Sequence, residues 1–372
     1  LSRRMLQMKI DFANLQYQYQ LYKKDIDAAV QEVLDSSMYV MGPQVKELEA
    51  KLSAFTGAKN CITCSSGTDA LQLSLMALDI GSGDQVITTP FTFIATAEMI
   101  AHLGARPVFV DIDPVTYAID AQKIEQAITG KTKAIVPVGL YGQPADMEAI
   151  NSLAGEYNLP VIEDAAQSFG ATYKGRTSCN LSTMGCTSFF PAKPLGCFGD
   201  GGAVFTSDQD LAGRIRCLRV HGQSEQYEHR YVGLGARMDT IQAAVLLAKL
   251  PHYEQEIAMR QEVAERYTRL LGDTVTTPQL MQDRTSVWAQ YSIQVPNRDE
   301  LRQGLSQAGI PTAVHYPKPL HLQECFSYLG YGSGDFPVAE EVSSRIISLP
   351  MNAFVIRQEQ EYISESIHAQ KE

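Results

Sequence analysis

A chain of 372 residues, 45% hydrophobic and 20% charged, has the composition of an ordinary globular protein and enough length for two domains. Its net charge of −11 argues against nucleic acid or an anionic membrane as the main partner, and its apolar stretches stop well short of the ~20 residues of a membrane span. The seven cysteines are odd in number and scattered, which speaks against a disulfide framework and for a reducing cytoplasm.

Residues 1–7, ahead of Met8, lack the apolar core of a signal peptide and read as an upstream extension. Asp25–Ser36 and Gln44–Phe55 have helical apolar spacing, joined by the Met38–Pro43 link. Asn60–Cys64 reads as a strand, followed by Ser65-Ser-Gly-Thr-Asp69 and a helix through Leu78. Cys61 and Cys64 have redox or zinc spacing, but no second cysteine pair completes a zinc site, and a structural role in the strand is favoured.

Strand and helix signals then alternate. Gln85–Thr89, Pro107–Asp111, Ala134–Val138 and Pro160–Ile162, the last ending at Glu163-Asp164, are strands; Thr92–Leu103, Ala121–Ile128 and Met147–Tyr157 are helices. Short, continuously apolar strands in repeated βα units imply a mainly parallel sheet covered on both faces, with ligands beyond its carboxyl ends. Polar segments at those ends are Ser65–Asp69, Pro90–Phe93 and Asp164–Gln167.

Thr183–Phe189 and Ala203–Thr206 read as strands flanking a loop with an Asp200-Gly201 turn. Leu211–Arg219 is helical, and Met238–Leu271 is a long helical region broken by Pro251 that suggests a spine between domains. A smaller α/β segment follows: strand Trp288–Val295, helix Asp299–Ala308, a strand into Val314-His-Tyr-Pro317, and helical segments around Val338–Ile347 and Glu359–His368. The division expected is 8–250 for a large domain and 251–372 for the spine helix and small domain.

Lys193 stands out. It is the only basic residue from Thr187 to Gly202, among aromatic, aliphatic and glycine neighbours. Loss of hydration lowers a lysine's pKa, the condition for an amine nucleophile that forms an imine with a carbonyl. Ser65–Asp69, between strand and helix, can cradle a phosphate on free amides and hydroxyls, or simply cap the helix. Gly67 would allow close approach of the backbone to the anion. Asp164 can hold a protonated ring nitrogen, with Glu163 beside it as the solvent-facing carboxylate. Gln167 can bond the same ligand, Phe93 can stack on an aromatic ring, and Ser188 can serve as a second phosphate ligand. Together these groups answer the needs of pyridoxal 5'-phosphate.

Ser66-Gly-Thr-Asp-Ala70, Glu163-Asp-Ala-Ala-Gln167, Ser188-Phe-Phe-Pro-Ala-Lys193 and Gly199-Asp-Gly-Gly202 closely resemble the nucleotide-sugar aminotransferases of the DegT/StrS type, which are fold-type I pyridoxal phosphate enzymes. The resemblance implies a mainly parallel sheet with helices on both faces, a smaller C-terminal α/β domain, and a homodimer with active sites at the interface. It makes Lys193 the lysine that binds the cofactor aldehyde, Asp164 the pyridine-nitrogen partner, Phe93 the stacker and Gln167 a contact to the ring oxygen. Gly67, Thr68 and Ser188 would bind the phosphate.

Ser178-Cys-Asn-Leu-Ser182 and Thr312-Ala-Val-His-Tyr-Pro317 are most similar to the branch that aminates carbon 3 of a UDP-linked 3-oxo-N-acetylglucosamine uronic acid. The resemblance implies sugar-nucleotide contacts from Tyr39, Ser188, Arg237, His315 and Tyr316, with L-glutamate as amino donor and pyridoxamine phosphate between half-reactions. Arg237 suits a uronate carboxylate as a bidentate donor. One position departs: the family usually has Asn where Gly235 stands, reaching the cofactor phosphate from the partner subunit. Rival readings are amination at carbon 4 of a 4-keto-hexose nucleotide, a sensor that keeps the fold without turnover, and a dehydrogenase. No Gly-x-Gly-x-x-Gly follows the first strand to support the last.

Overall fold

The computed structural model describes residues 9–370, so the reading of residues 1–7 and of a start at Met8 lies outside the described residues. Seven strands form the central sheet: β1 (Asn60–Cys64), β2 (Gln85–Thr88), β3 (Arg106–Phe109), β4 (Thr132–Ile135), β5 (Ile162–Asp164), β6 (Met184–Ser188) and β7 (Gly202–Thr206). They run in the order β1-β7-β6-β5 and β4-β2-β3, and the two ladders meet through parallel bridges at Ile135–Val161 and Val138–Asp164. Only β7 is antiparallel to its neighbours. The reason is local: the 189–201 loop carries Lys193 and turns the chain straight back, where the connections from β1 to β5 run through helices.

Helices α1 (Leu15–Ser36), α2 (Pro43–Thr56), α3 (Gly67–Ala77), α4 (Ala95–His102), α5 (Met147–Glu156), α6 (Gln209–Leu218) and α7 (Thr240–Lys249) surround the sheet. Alternation along β1 and β7 sorts them by face. Ile62, Cys64 and Val204 pack with α3 and α6. Cys61, Ala203 and Phe205 pack on the other face with α1, α2 and α7. The two cysteines of the Cys-x-x-Cys pair therefore lie in different cores, and no residues grouped to hold a metal occur among the described residues. Among the described residues, no helix is long and apolar enough to cross a membrane.

The spine is α8 (Tyr253–Leu271), entered through a 3-10 turn at Leu250–His252 that contains Pro251. Its first residue, Tyr253, belongs to the sheet core, while Val263, Ala264 and Tyr267 belong to the C-terminal core. There they meet the antiparallel pair β8 (Tyr291–Gln294) and β9 (Ile346–Leu349) with α9 (Arg298–Gln307) and α11 (Arg357–His368). The segment from Leu320 through α10 (Pro337–Arg345) packs instead on Phe91, Phe109 and Tyr141 at the far edge of the sheet.

Some boundaries differ from the sequence reading. Helix α1 starts at Leu15, ten residues before Asp25, although its Tyr- and Gln-rich opening lacks apolar periodicity. Tertiary contacts hold it: Gln18 donates to both carboxylate oxygens of buried Glu256 at 2.9 and 2.8 Å, and Tyr22 stacks on His252 at 4.1 Å. The strand expected into Val314–Pro317 is a single bridge, Ala313–Ser348. The run expected as helix to Ile347 leaves the helix at Arg345 and becomes β9, because its apolar residues complete the ladder with β8.

Candidate active site

The carboxyl ends of β1, β2, β5 and β6 open into a cleft of about 540 Å³. One corner is the turn from β1 into α3. Ser66 caps the helix, accepting from the Asp69 amide at 3.0 Å while its hydroxyl donates to Asp69 Oδ2 at 2.7 Å. The first-turn amides of Gly67 and Thr68 have no partner within the helix and lie at the cleft wall. Ser188, the last residue of β6, presses on this turn so closely that a Cβ at position 67 would lie 2.6 Å from the Ser188 Cβ. From below, a Cβ at Gly202 would lie 2.3 Å from the Ser66 carbonyl. Two glycines thus shape a small anion cradle of amides and hydroxyls.

Asp164 ends β5 in the floor of the cleft and is buried. Its Oδ2 accepts from the Thr96 hydroxyl at 2.7 Å and its Oδ1 from the Ala166 amide at 3.2 Å. Burial pushes its pKa up, opposed by these donors and by the charge of Lys193. Glu163 departs from expectation: it is buried on the opposite face of the strand, accepting from the Ser178 hydroxyl at 2.6 Å and the Cys179 amide at 2.8 Å. Burial raises its pKa to about 7. A strand covered on both faces leaves no solvent side for it.

Lys193 sits in a compact turn in which its amide donates to the Phe190 carbonyl at 2.8 Å. Cys197 returns an amide to the Phe189 carbonyl at 2.8 Å, and buried Lys249 of α7 donates its ammonium to the Gly196 carbonyl. The residue keeps some exposure along the cleft, but its amine is enclosed by protein, and this burial lowers its pKa against the pull of Asp164. A neutral amine is thereby favoured relative to an exposed lysine.

The opposite wall comes from the C-terminal part. Gln167 accepts from the Tyr141 amide at 2.8 Å and donates to the Tyr316 hydroxyl at 3.0 Å. Phe93 is 55% exposed at the cleft, its ring centroid 6.2 Å from that of Tyr316. His315 bonds through Nδ1 to Ser348 at 3.0 Å; burial, and then the charge of Lys193, lower its pKa to about 4.

Nine residues singled out from sequence therefore line one cleft: Gly67, Thr68, Phe93, Asp164, Gln167, Ser188, Lys193, His315 and Tyr316. Tyr39 and Arg237 do not line it. They lie on paired segments, the Tyr39 carbonyl accepting from the Thr240 amide at 2.9 Å beside a Val40–Asp239 bridge. At Gly235, a Cβ would lie 2.9 Å from Cε1 of His221, whose ring occupies the space of the missing side chain. Sequence reasoning missed Thr92, Thr96 and Gln290, which also line the cleft. Thr96 lies inside α4 and the other two in loops beside an element, and an uncharged threonine or glutamine carries no local signal of such a role.

Residues 20–368 match the model of the DegT/DnrJ/EryC1/StrS aminotransferase family. The chain belongs to that family. A UDP-2-acetamido-2-deoxy-3-oxo-D-glucuronate aminotransferase of Pseudomonas aeruginosa is 52% identical over 347 residues, covering 93% of this chain and 96% of the relative. A pleiotropic regulatory protein of Geobacillus stearothermophilus is 47% identical, covering 97% and 98%. Among solved structures, NtdA of Bacillus subtilis with bound cofactor PMP superposes with a TM-score of 0.91 at 31% identity, covering 98% of this chain and 86% of that one. The aminotransferase fold expected from the sequence is the fold observed, and its cofactor is pyridoxal 5'-phosphate. The cleft fits that group: amides and hydroxyls at one corner for a phosphate, a buried carboxylate for the ring nitrogen, an open aromatic face, and an enclosed amine.

Proposed function

We propose that this aminotransferase moves an amino group from L-glutamate to the 3-keto carbon of UDP-2-acetamido-2-deoxy-3-oxo-glucuronic acid. The product is a UDP-2-acetamido-3-amino uronate for surface polysaccharide such as the O-antigen of lipopolysaccharide. The observation that carries the reading is the pairing of the enclosed Lys193 amine with buried Asp164 in one cleft, in a chain 52% identical to an aminotransferase of that name. Bound pyridoxal phosphate supplies an aldehyde for the lysine and a ring that takes up electrons from the substrate carbon.

In this reading Gly67, Thr68 and Ser188 hold the phosphate, Phe93 covers one ring face, Gln167 contacts the ring oxygen, and Asp164 keeps a proton on the ring nitrogen. Lys193 Nζ would serve as the general base and acid that moves the proton of the substrate carbon. His315 and Tyr316 meet the sugar. Neutral His315 leaves the cation for the uronate carboxylate to Arg237, which with Tyr39 serves the cleft of a second copy. Their position outside their own cleft supports a homodimer, as does the run Met38–Met41, in which every side chain is 40–56% exposed. Seven free cysteines, five of them buried, accord with a cytoplasmic site.

The regulatory name of one relative raises the sensor reading; a chain that had given up turnover would have no use for both Lys193 and Asp164. The test is incubation of the holoenzyme with L-glutamate and the UDP-linked 3-oxo uronate, with the product's nitrogen located by NMR. Nitrogen at carbon 3 with one 2-oxoglutarate per amino sugar is expected. Turnover only with a 4-keto hexose, or bound cofactor without transfer to any keto sugar, would overturn the proposal.

A further inference from the structure

Asp164 has a neighbour that no part of the functional reading uses. Thr96, the second residue of α4 and 1% exposed, points its hydroxyl at Asp164 Oδ2 across 2.7 Å. Thr92, 2% exposed, lies with its own hydroxyl oxygen 3.2 Å from that of Thr96. A hydroxyl has one proton to give. With the Thr96 proton committed to the carboxylate, any bond between the threonines has Thr92 as donor. The direction is fixed from Thr92 through Thr96 to Asp164.

We propose that Thr96, backed by Thr92, is the positioning residue that keeps Asp164 ionised and aimed at the cofactor's ring nitrogen. The inference rests on the pyridoxal phosphate reading of the cleft. Three groups face the carboxylate: the Thr96 hydroxyl, the Ala166 amide at 3.2 Å and the Lys193 amine. Lys193 is the reacting group, so its charge changes through the cycle. The Ala166 bond is long. Thr96 alone gives a short bond, from a helix anchored by buried Ala97, Met99 and Ile100. Such a bond favours the charged carboxylate, which burial alone disfavours. It also fills one lone pair of Oδ2 and sets the carboxylate plane, leaving acceptor capacity directed into the cleft.

The test compares wild type with Thr96→Val, which keeps the shape and removes the hydroxyl, and Thr96→Ser, which keeps the hydroxyl. Cofactor labelled with ¹⁵N in its ring reports protonation of that nitrogen directly by NMR, and titration gives the cofactor Kd. For Thr96→Val the ring-nitrogen signal is expected to move toward the unprotonated value, with Kd weakened about tenfold, the scale of one hydrogen bond to a charged group. Thr96→Ser should match wild type, and Thr92→Val should shift the signal in the same direction by less. Should Thr96→Val fail to fold, Thr96→Ala removes the same hydroxyl with a smaller side chain. A folded variant lacking the hydroxyl, with unchanged ¹⁵N signal and unchanged Kd, overturns the proposal while leaving the functional reading intact. Wild type that binds no cofactor overturns both, and is told apart by that result.

Discussion

Gly67 and Ser188 touch so closely that the glycine has no room for a methyl group: its Cβ would stand 2.6 Å from that of the serine. The contact joins the first turn of α3 to the end of β6, and both residues line the same corner of the cleft. Neither partner can yield by rotating a flexible side-chain end. Gly67→Ala must therefore move backbone at the anion cradle, at about 1–3 kcal/mol in stability by analogy with overpacked cores. Cofactor affinity should fall with it. Gly213, inside α6 with nothing within 4 Å of its Cβ position, is the control. Gly213→Ala should stabilise by about 0.5–1 kcal/mol. Thermal unfolding and cofactor titration of both variants check this; equal effects would refute the steric account.

Lys193→Ala should lower turnover by at least about three orders of magnitude, since it removes the nucleophile and the group that carries the proton. Binding of the cofactor should persist, because the anion cradle, Phe93 and Asp164 are untouched. Single-turnover assays against cofactor titration separate the two. Near-normal turnover in the variant would end the assignment.

Buried Glu163 and half-buried His315 should tilt stability in opposite directions over one pH range. His315 is held to about 4 from an ordinary 6.5, so between those values the unfolded chain binds more protons and stability is lost as pH falls. Glu163 is raised from 4.5 to about 7, so in that window the folded chain binds more protons and stability is lost as pH rises. Each is worth about 3 kcal/mol at most. His315→Gln should flatten the acid side of the stability–pH curve, and Glu163→Gln should flatten the decline toward neutral pH. Melting temperatures at several pH values between 4 and 8 check both. Variants that keep the wild-type slopes would show that neither group governs them.

What the sequence revealed and what it hid divide on physical lines. Lys193, Ser66–Thr68 and Asp164 are marked by local context: a lone cation among apolar residues, a cap between strand and helix, an acid at the end of a buried strand. Backbone structure within a few residues of each already aims it. Thr96 is aimed only by the packing of α4 on α3, β2 and β3, 68 residues of chain from Asp164, and no nearby pattern announces it. Glu163 misled for the same reason, since its polarity suggests solvent while its donors, Ser178 and Cys179, arrive from a later loop. Helix α1 escaped at its start because its stabilising partners, Glu256 and His252, lie on the spine side of the fold.

Arg237 and Tyr39 provide the last prediction. The Tyr39 segment pairs with the backbone at Asp239 and Thr240, just past Arg237, yet both residues stand outside the cleft their own chain builds. If each serves the cleft of the partner copy, Lys193→Ala and Arg237→Ala break different parts of the same site from different chains. Both variants alone should be nearly inactive with the uronate substrate. Mixed and allowed to exchange subunits, half the dimers become hybrids, and each hybrid holds one site with both wild-type residues. Recovery of roughly a quarter of wild-type activity is then expected from the symmetry of a two-fold dimer. Mixed samples that show subunit exchange by mass spectrometry but regain nothing would place Arg237 in service of its own chain, or of no active site at all.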